Sequence, residues 1–287
     1  MMVGTLAEIQ RYPVKSMLGE RLESVLVGDD GLRGDRAWAA RDEERGAIEG
    51  GRKLPALLSC RARFCSPVAD RGELPVPEIE LPDGTRLAAD APEAARKLSE
   101  LAERKLTLWP RLPADQEEHY RRGAPDHEDL VEELRATFAR LPDEPLPDIG
   151  ALPREVLFSS TIPGTYFDCY PLFLLSTASL ASLARVRPGS RFDVRRFRPN
   201  LLFDCADAEG FPENAWVGRR LRVGDAVLGV AIECPRCVMT THGFADLPRD
   251  PDVMRALVRA NGGNLGVYAA VEEPGILRAG DPIELLD

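Results

Sequence analysis

The chain is short of positive charge, sparse in cysteine and without a long apolar run, and each shortage removes a class of protein. Thirty-seven Lys and Arg stand against 47 Asp and Glu in 287 residues, a net charge of -10, so the surface as a whole repels nucleic acid and anionic lipid. The one strong basic cluster, Arg185, Arg187, Arg191, Arg195, Arg196 and Arg198, is too short and too interrupted by proline for a recognition helix, and no nucleic-acid partner is expected. No window approaches the roughly eighteen consecutive apolar residues of a membrane span. The stretch from Val156 to Leu183 is broken by Pro163, Asp168 and Pro171, and no membrane partner is expected. Six cysteines are too few for a disulfide-built scaffold, and the N-terminus lacks a basic segment followed by an apolar one, so the expected location is cytoplasmic. Both common phosphate loops, Gly-x-x-x-x-Gly-Lys-Ser/Thr and Gly-x-Gly-x-x-Gly, are absent.

What is present is enough apolar content, 44%, to bury one large core or two modest ones. The first hundred residues read as short strands and turns: Leu6 to Tyr12, Leu22 to Val27, Arg36 to Arg41, Leu57 to Cys65 and Glu78 to Leu81, then a helix from Pro92 to Arg104. Residues 111–155 change character. Across Asp115 to Glu155 there are twelve Asp or Glu against five Arg, and one amphipathic helix is expected from Glu128 to Leu141. This stretch reads as an acidic helical connector, with an interface or substrate-gating role open to it. Strands resume at Leu201 to Asp204, Arg220 to Val223, Val227 to Glu233 and Gly266 to Ala270. Helices are expected in Leu172 to Val186, whose apolar start also suits a buried strand, and in Asp250 to Arg259, opened by Pro251. The spacing gives a mixed α+β, strand-dominated fold divided as 1–110, 111–155 and 156–287.

Chemistry concentrates in three places. Cys234 and Cys237 form a Cys-x-x-Cys pair. Structural zinc needs four ligands, and only His242 stands nearby; a redox pair needs a helix after the cysteines, which Val238-Met-Thr-Thr241 does not suggest. Buried inert thiols and a soft thiolate ligand for a redox metal, stabilised by Arg236, both stay open. In Arg196-Phe-Arg-Pro-Asn200, Pro199 biases Arg198 toward an extended backbone, from which its guanidinium offers a planar fork to phosphate, while Asn200 offers donor and acceptor to a heterocycle. Near the N-terminus, Lys15 and Ser16 follow a strand, and Gly31-Leu-Arg-Gly-Asp-Arg36 supplies two glycine-permitted bends carrying Arg33 and Arg36.

Taken in order, Tyr12-Pro-Val-Lys-Ser16, Gly31 to Arg36, Tyr170-Pro-Leu-Phe-Leu-Leu-Ser176, Arg196 to Asn200, Cys234-Pro-Arg-Cys-Val-Met-Thr240, Asn264-Leu-Gly-Val-Tyr268 and Gly280-Asp-Pro-Ile283 resemble the MOSC family, the molybdenum cofactor sulfurase C-terminal domain. The resemblance implies an N-terminal MOSC β-barrel-like domain, followed by a MOSC domain with a β-barrel core and peripheral helices. It also implies similarity to amidoxime-reducing molybdenum enzymes. By that resemblance Cys237 is the catalytic residue and the protein ligand to a molybdenum pyranopterin cofactor, and Lys15, Ser16, Arg36, Arg198 and Asn200 bind the pterin and its phosphate. Cys234 packs nearby, and Asp35 orients an arginine. The implied activity is reduction of small N-oxygenated substrates. No cysteine follows Cys237, so no [2Fe-2S] module is expected there, and electrons are expected from a separate flavin- or ferredoxin-type donor. Gly50-Gly-Arg-Lys-Leu-Pro55 stands where the family carries a Thr/Gln-Arg segment. The alternative from another class is a carrier that holds molybdenum cofactor, or persulfide sulfur on Cys237, and passes it on. Pyridoxal phosphate has only Lys15 as a candidate imine former, with no pyridoxal-dependent domain beside it.

Overall fold

Alternation with a period of two puts one face of each late strand into a common interior. Val267 and Ala269, Leu228 and Val230, Leu221 and Val223, and Ile283 and Leu285 meet Leu6, Leu174, Leu201 and Phe203 in one buried cluster. The computed structural model describes residues 1–205 and 208–286. Its main sheet runs in the order Leu201–Asp204, Leu172–Ser176, Asn264–Glu273, Ala226–Pro235, Arg220–Val223, Pro282–Leu286 and Met2–Arg11, seven strands that form a ring, with Glu20–Leu22 added beside the end of Met2–Arg11. Met2–Arg11 pairs back onto Leu201–Asp204 and closes the barrel, so its strands have no open edge. A ring with an odd number of strands cannot be antiparallel throughout. The parallel pair lies between Leu172–Ser176 and Leu201–Asp204.

The first strand therefore completes a barrel built otherwise from residues after 171. A second link is the pairing of Gly275–Arg278 with Ser24–Gly28. The remaining early residues build their own core from Val14, Met17, Ala40, Leu57, Ile79, Leu98 and Leu106. Above it lie a sheet of Trp38–Asp42, Ala47–Ile48 and Leu106–Pro110, a sheet of Arg61–Arg63, Glu78–Glu80 and Arg86–Ala88, and the helix Pro92–Ala102. Outside the barrel the helices Thr177–Val186 and Asp252–Asn261 pack together through Leu183, Val253 and Leu257. The fold is thus mixed α+β and strand-dominated, with a closed barrel core and peripheral helices. The division into 1–110, 111–155 and 156–287 is kept as a proposal, crossed by the first strand.

Several sequence expectations are redrawn. Leu57 to Cys65 is a 3₁₀ turn over Pro55–Ser59 followed by the short strand Arg61–Arg63, because Pro55 suits the first position of a turn of helix. In Leu172 to Val186 the apolar start is strand, and Ser176 joins it to the helix by accepting the Ser179 N–H at 3.1 Å. The connector helix is Leu130–Phe138, shorter at both ends than expected. Asp129 caps it by accepting the Glu132 N–H at 2.9 Å, and Ala139 stops it in the left-handed conformation.

If the first strand locks the late barrel, replacing fully buried Ile9 by Ala should cost about 2–5 kcal/mol. Urea unfolding followed by fluorescence should show a lower midpoint; a loss under about 1 kcal/mol would show that this strand is not a structural part of the barrel wall.

Candidate functional site

The site grows from one carboxylate. Asp35 is buried, accepts the Tyr12 N–H at 2.7 Å and the Asn200 Nδ2 at 2.9 Å, and forms an ion pair with Arg36. It thereby ties the end of the first strand, the Gly31 to Arg36 turn and the Arg196 to Asn200 run to one point. Gly31 and Gly34 supply the bends with φ of 88° and 84°. Arg33, the other basic residue of that turn, points outward and donates to the carbonyls of Ala69 and Gly72. Asn200 is fully engaged: its Oδ1 accepts from Phe173 N at 3.2 Å and Arg36 Nη1 at 3.3 Å, and its Nδ2 also reaches Gln10 O at 3.3 Å.

Around this point three cations converge. Arg36 and Arg198 both lie over the Tyr12 ring, with guanidinium carbons 5.2 and 4.2 Å from its centre. Lys15 donates to the Tyr166 carbonyl at 3.0 Å and pairs with Asp168. Burial pushes the Lys15 ammonium below its usual range, against the opposing pull of Asp168. Enclosure by the cavity walls would by itself raise Asp168, but Lys15, Arg36 and Arg198 outweigh it and hold the carboxyl at about 2. Its side chain is 65% exposed, so the carboxylate faces the cavity and not the core. Arg198 donates to Met17 O at 2.5 Å, and burial brings its guanidinium down to about 10. Its Nη2 is buried with no hydrogen-bond partner. A buried cationic N–H left in that state costs free energy until an acceptor arrives.

Ser16, Arg36 and Arg198 all have positive φ, at 69°, 46° and 61°. Left-handed backbone at a residue other than glycine costs on the order of 1–3 kcal/mol and persists where its surroundings dictate it. For Arg198 this corrects the extended backbone expected from Pro199: the 3₁₀ turn Val194–Arg196 and the bond from Arg198 N to Val194 O decide its conformation instead. Ser16 Oγ accepts the Gly51 N–H at 2.7 Å, and a Cβ on Gly50 would stand 2.9 Å from that oxygen. The Gly50-Gly51 pair thus fits closely around the Ser16 hydroxyl.

The two cysteines separate. Cys234 is buried and accepts from Arg236 Nη1 at 3.0 Å, while Arg236 Nη2 donates to Phe197 O at 2.8 Å. Burial raises the Cys234 thiol despite Arg236. The expected support of Arg236 for a Cys237 thiolate is therefore redirected: its hydrogen bond goes to Cys234. Cys237 is half-buried, precedes the 3₁₀ turn Val238–Thr241 and lines the same cavity as Lys15, Arg36 and Arg198. Among the described residues no three His, Cys, Asp or Glu side chains converge as metal ligands, so a zinc site of Cys234, Cys237 and His242 is not assembled.

The sequence singled out Arg198 from the arginine run, and the structure gives its other members different work. Arg187 pairs with Asp252, Arg191 with Asp246, and Arg195 with Asp193 and Asp246. Arg196 is 1% exposed and donates to the carbonyls of Arg191 at 3.1 Å, His242 at 2.9 Å and Pro248 at 2.7 Å, stapling the loop that follows Cys237. Only Arg198 of the six lines the cavity. Asp168 was also missed; in the sequence its signal was a charge interrupting an apolar run.

The cavity is about 470 Å³, within the range of small-molecule sites. The 111–155 stretch forms one of its walls through Leu130, Leu134, Phe138 and Leu152. A strand-dominated α+β barrel whose cavity gathers Lys15, Arg36 and Arg198 beside the accessible thiol of Cys237 is the class that fold and site define. The chain belongs to the MOSC family: residues 3–106 match the MOSC N-terminal beta barrel domain and residues 161–284 the MOSC domain. It is similar to mitochondrial amidoxime reducing component 2 of Bos taurus, 26% identical over 98% of this chain and 83% of that protein. Mitochondrial amidoxime-reducing component 1 of Xenopus laevis is 25% identical over 98% of this chain and 82% of its own length. The Rattus norvegicus component 2 is 34% identical over 41% of this chain and 37% of its own length. These names overturn the cytoplasmic expectation. Each of these relatives is named as mitochondrial, and the six cysteines, all free, do not distinguish between compartments. No helix among the described residues is long and apolar enough to cross a membrane.

Because Asp168 has its carboxyl lowered from 3.8 to about 2, its pairing contributes stability above pH 4 and loses it as pH falls toward 2. The stability gap between wild type and Asp168→Asn, from urea unfolding at stepped pH, should shrink across that window. A gap independent of pH from 6 to 2 would exclude an ionised Asp168 as its source.

Proposed function

We propose that this chain is a molybdenum-cofactor-dependent reductase of small N-oxygenated compounds. The observation that carries the reading is the coincidence, on one cavity, of an accessible thiol at Cys237 and a buried Arg198 N–H without an acceptor. The donor set suits the cofactor: a single soft thiolate leaves the remaining metal ligands to be brought by the pterin, and the cations suit its phosphate. The relatives' name, amidoxime reducing component, supports the choice of substrate class.

In this reading Arg198 and Arg36 bind phosphate, with Lys15 held ready by Asp168. Ser16 keeps its own O–H free to donate, since its oxygen already accepts from Gly51. Asn200 acts through its neighbours, fixing Arg36 and Asp35 instead of reaching for a heterocycle. Cys237 is the protein ligand to molybdenum, and Arg196 fixes the loop behind it. When bound, the cofactor supplies a two-electron redox centre. The net reaction cleaves N–O, consumes two electrons and two protons, and releases water with the amine or amidine. The electrons come from a separate flavin- or ferredoxin-type donor, for which the acidic surface of residues 115–155 is the proposed docking face. A carrier of cofactor or persulfide sulfur is the competing reading, since a half-buried Cys237 serves transfer as well.

Protein purified from a host that makes molybdenum cofactor should contain molybdenum and pterin in equal amounts and turn over a hydroxylamine or amidoxime with reduced viologen. Occupancy without turnover selects the carrier; absence of both metal and pterin rejects both readings. Cys237→Ser should fold normally and lose turnover by at least about 100-fold, because a hydroxyl is a poor replacement for a soft thiolate. Arg198→Ala should lose pterin, measured by fluorescence of the released and oxidised cofactor, before its melting temperature falls.

A further inference from the structure

We propose that the inner face of residues 130–157 is a fixed apolar wall that selects N-oxygenated substrates by the body attached to the reacting group, favouring a large apolar body over a small one. The inference rests on the functional reading above and adds what that reading leaves open, the feature of the substrate that this chain discriminates.

Three observations carry it. The wall is apolar where it meets the cavity: Leu130, Leu134, Phe138, Leu152 and Leu157 line it, and Leu130 and Leu157 are 64% and 46% exposed. Leucines held open at a cavity mouth gain free energy when an apolar group covers them, about 25 cal/mol per Å² removed from water. The wall also stands beside the proposed reaction centre, because the helix Leu130–Phe138 packs against the turn Val238–Thr241 that Cys237 precedes. Its one carboxylate facing the cavity, Glu133, is 3.5 Å from Arg52, whose guanidinium also donates to Thr137 at 3.0 Å. That pairing offsets the wall's own negative charge, so the wall meets a substrate chiefly through its leucines.

The wall is anchored, so the selection is built in and needs no closing motion. Arg140 is buried against Met254 Sδ at 2.9 Å and Gly262 O at 3.4 Å. A Cβ on Gly263 would fall 1.8 Å from its guanidinium, so only glycine admits the arginine there. Glu144 pairs with Arg255 at 2.5 Å on the same helix, Asp252–Asn261. The cations around Arg198 are left to hold the phosphate, and the leucine wall meets what remains of the cavity.

The probes are benzamidoxime and acetamidoxime, which share a head group and differ in its apolar body. Each is titrated calorimetrically, without reductant, into the full-length protein purified from a host that makes molybdenum cofactor. Benzamidoxime should bind at least about tenfold tighter, and Leu130→Asp and Leu157→Asp should each cut that ratio by about threefold or more with circular dichroism unchanged. Equal affinity for the two probes, no binding of either, or a ratio untouched by both substitutions would overturn the proposal. Failure of the functional reading looks different: the binding preference is present but neither compound is turned over with reduced viologen. Turnover of both compounds without a binding preference leaves the reductase standing and removes the wall's role.

Discussion

Asp35 is the constraint on which the site depends. A carboxylate taken fully out of water is tolerated only when its oxygens are paired, and this one is met by the Tyr12 backbone N–H, Arg36 and Asn200. Those partners come from three stretches of chain that lie up to 188 residues apart in numbering, from Tyr12 to Asn200. Satisfying one charge therefore fixes where the first strand ends, how Arg36 leaves its turn and where Arg198 must lie. The left-handed backbones of Ser16, Arg36 and Arg198 stand around it, each held by its own local contacts, as Arg198 is by its bond to Val194 O.

Arginines do the structural work that a hydrophobic core cannot do beside a polar cavity. Arg196 gathers backbone carbonyls from the loop beyond Cys237, Arg236 binds Cys234 and Phe197 O, and Arg140 fills the space left by Gly263. Each is a planar fork that satisfies several carbonyl or sulfur acceptors at once. Arg198 differs from Arg196 and Arg140 in lining the cavity, and its Nη2 is buried there without a hydrogen-bond partner. The acidic connector takes its place by the same chemistry with the signs reversed: Asp126, Glu133 and Glu144 pair with Arg45, Arg52 and Arg255. Acidity that looks in the sequence like a solvated linker is partly used to clamp one cavity wall to both halves of the chain.

Much of the strand pattern was legible because each barrel strand carries its own signal. Leu201 to Asp204 and Arg220 to Val223 have the same limits in the sequence reading and in the structure. Local errors arose where a proline or a cap outweighed periodicity, as at Pro55 and Asp129. Within the site, Lys15, Ser16, Arg36, Arg198, Asn200 and Cys237 do line one cavity. The direction of each side chain was not legible. Arg196 and Arg198 are two residues apart, and nothing in the sequence showed that Arg196 is a buried staple for the loop beyond Cys237 while Arg198 faces the cavity. Asn200 carries free donors and acceptors as a residue type and has them consumed in the fold.

The sequence by itself determined the strand periodicity, the lack of a membrane-length apolar run, and the ordered set of motifs that marks the MOSC family. These are properties of neighbouring residues or of their order along the chain. Only the tertiary structure decided that Met2–Arg11 closes the late barrel, that Arg236 serves Cys234 while Cys237 stays accessible, that Asp168 holds Lys15, and that the connector is a wall. Each of those outcomes depends on partners far away in sequence, and burial sets their strength: a charge or hydrogen bond that counts for little in water becomes decisive once its alternative is an unpaired group in the interior.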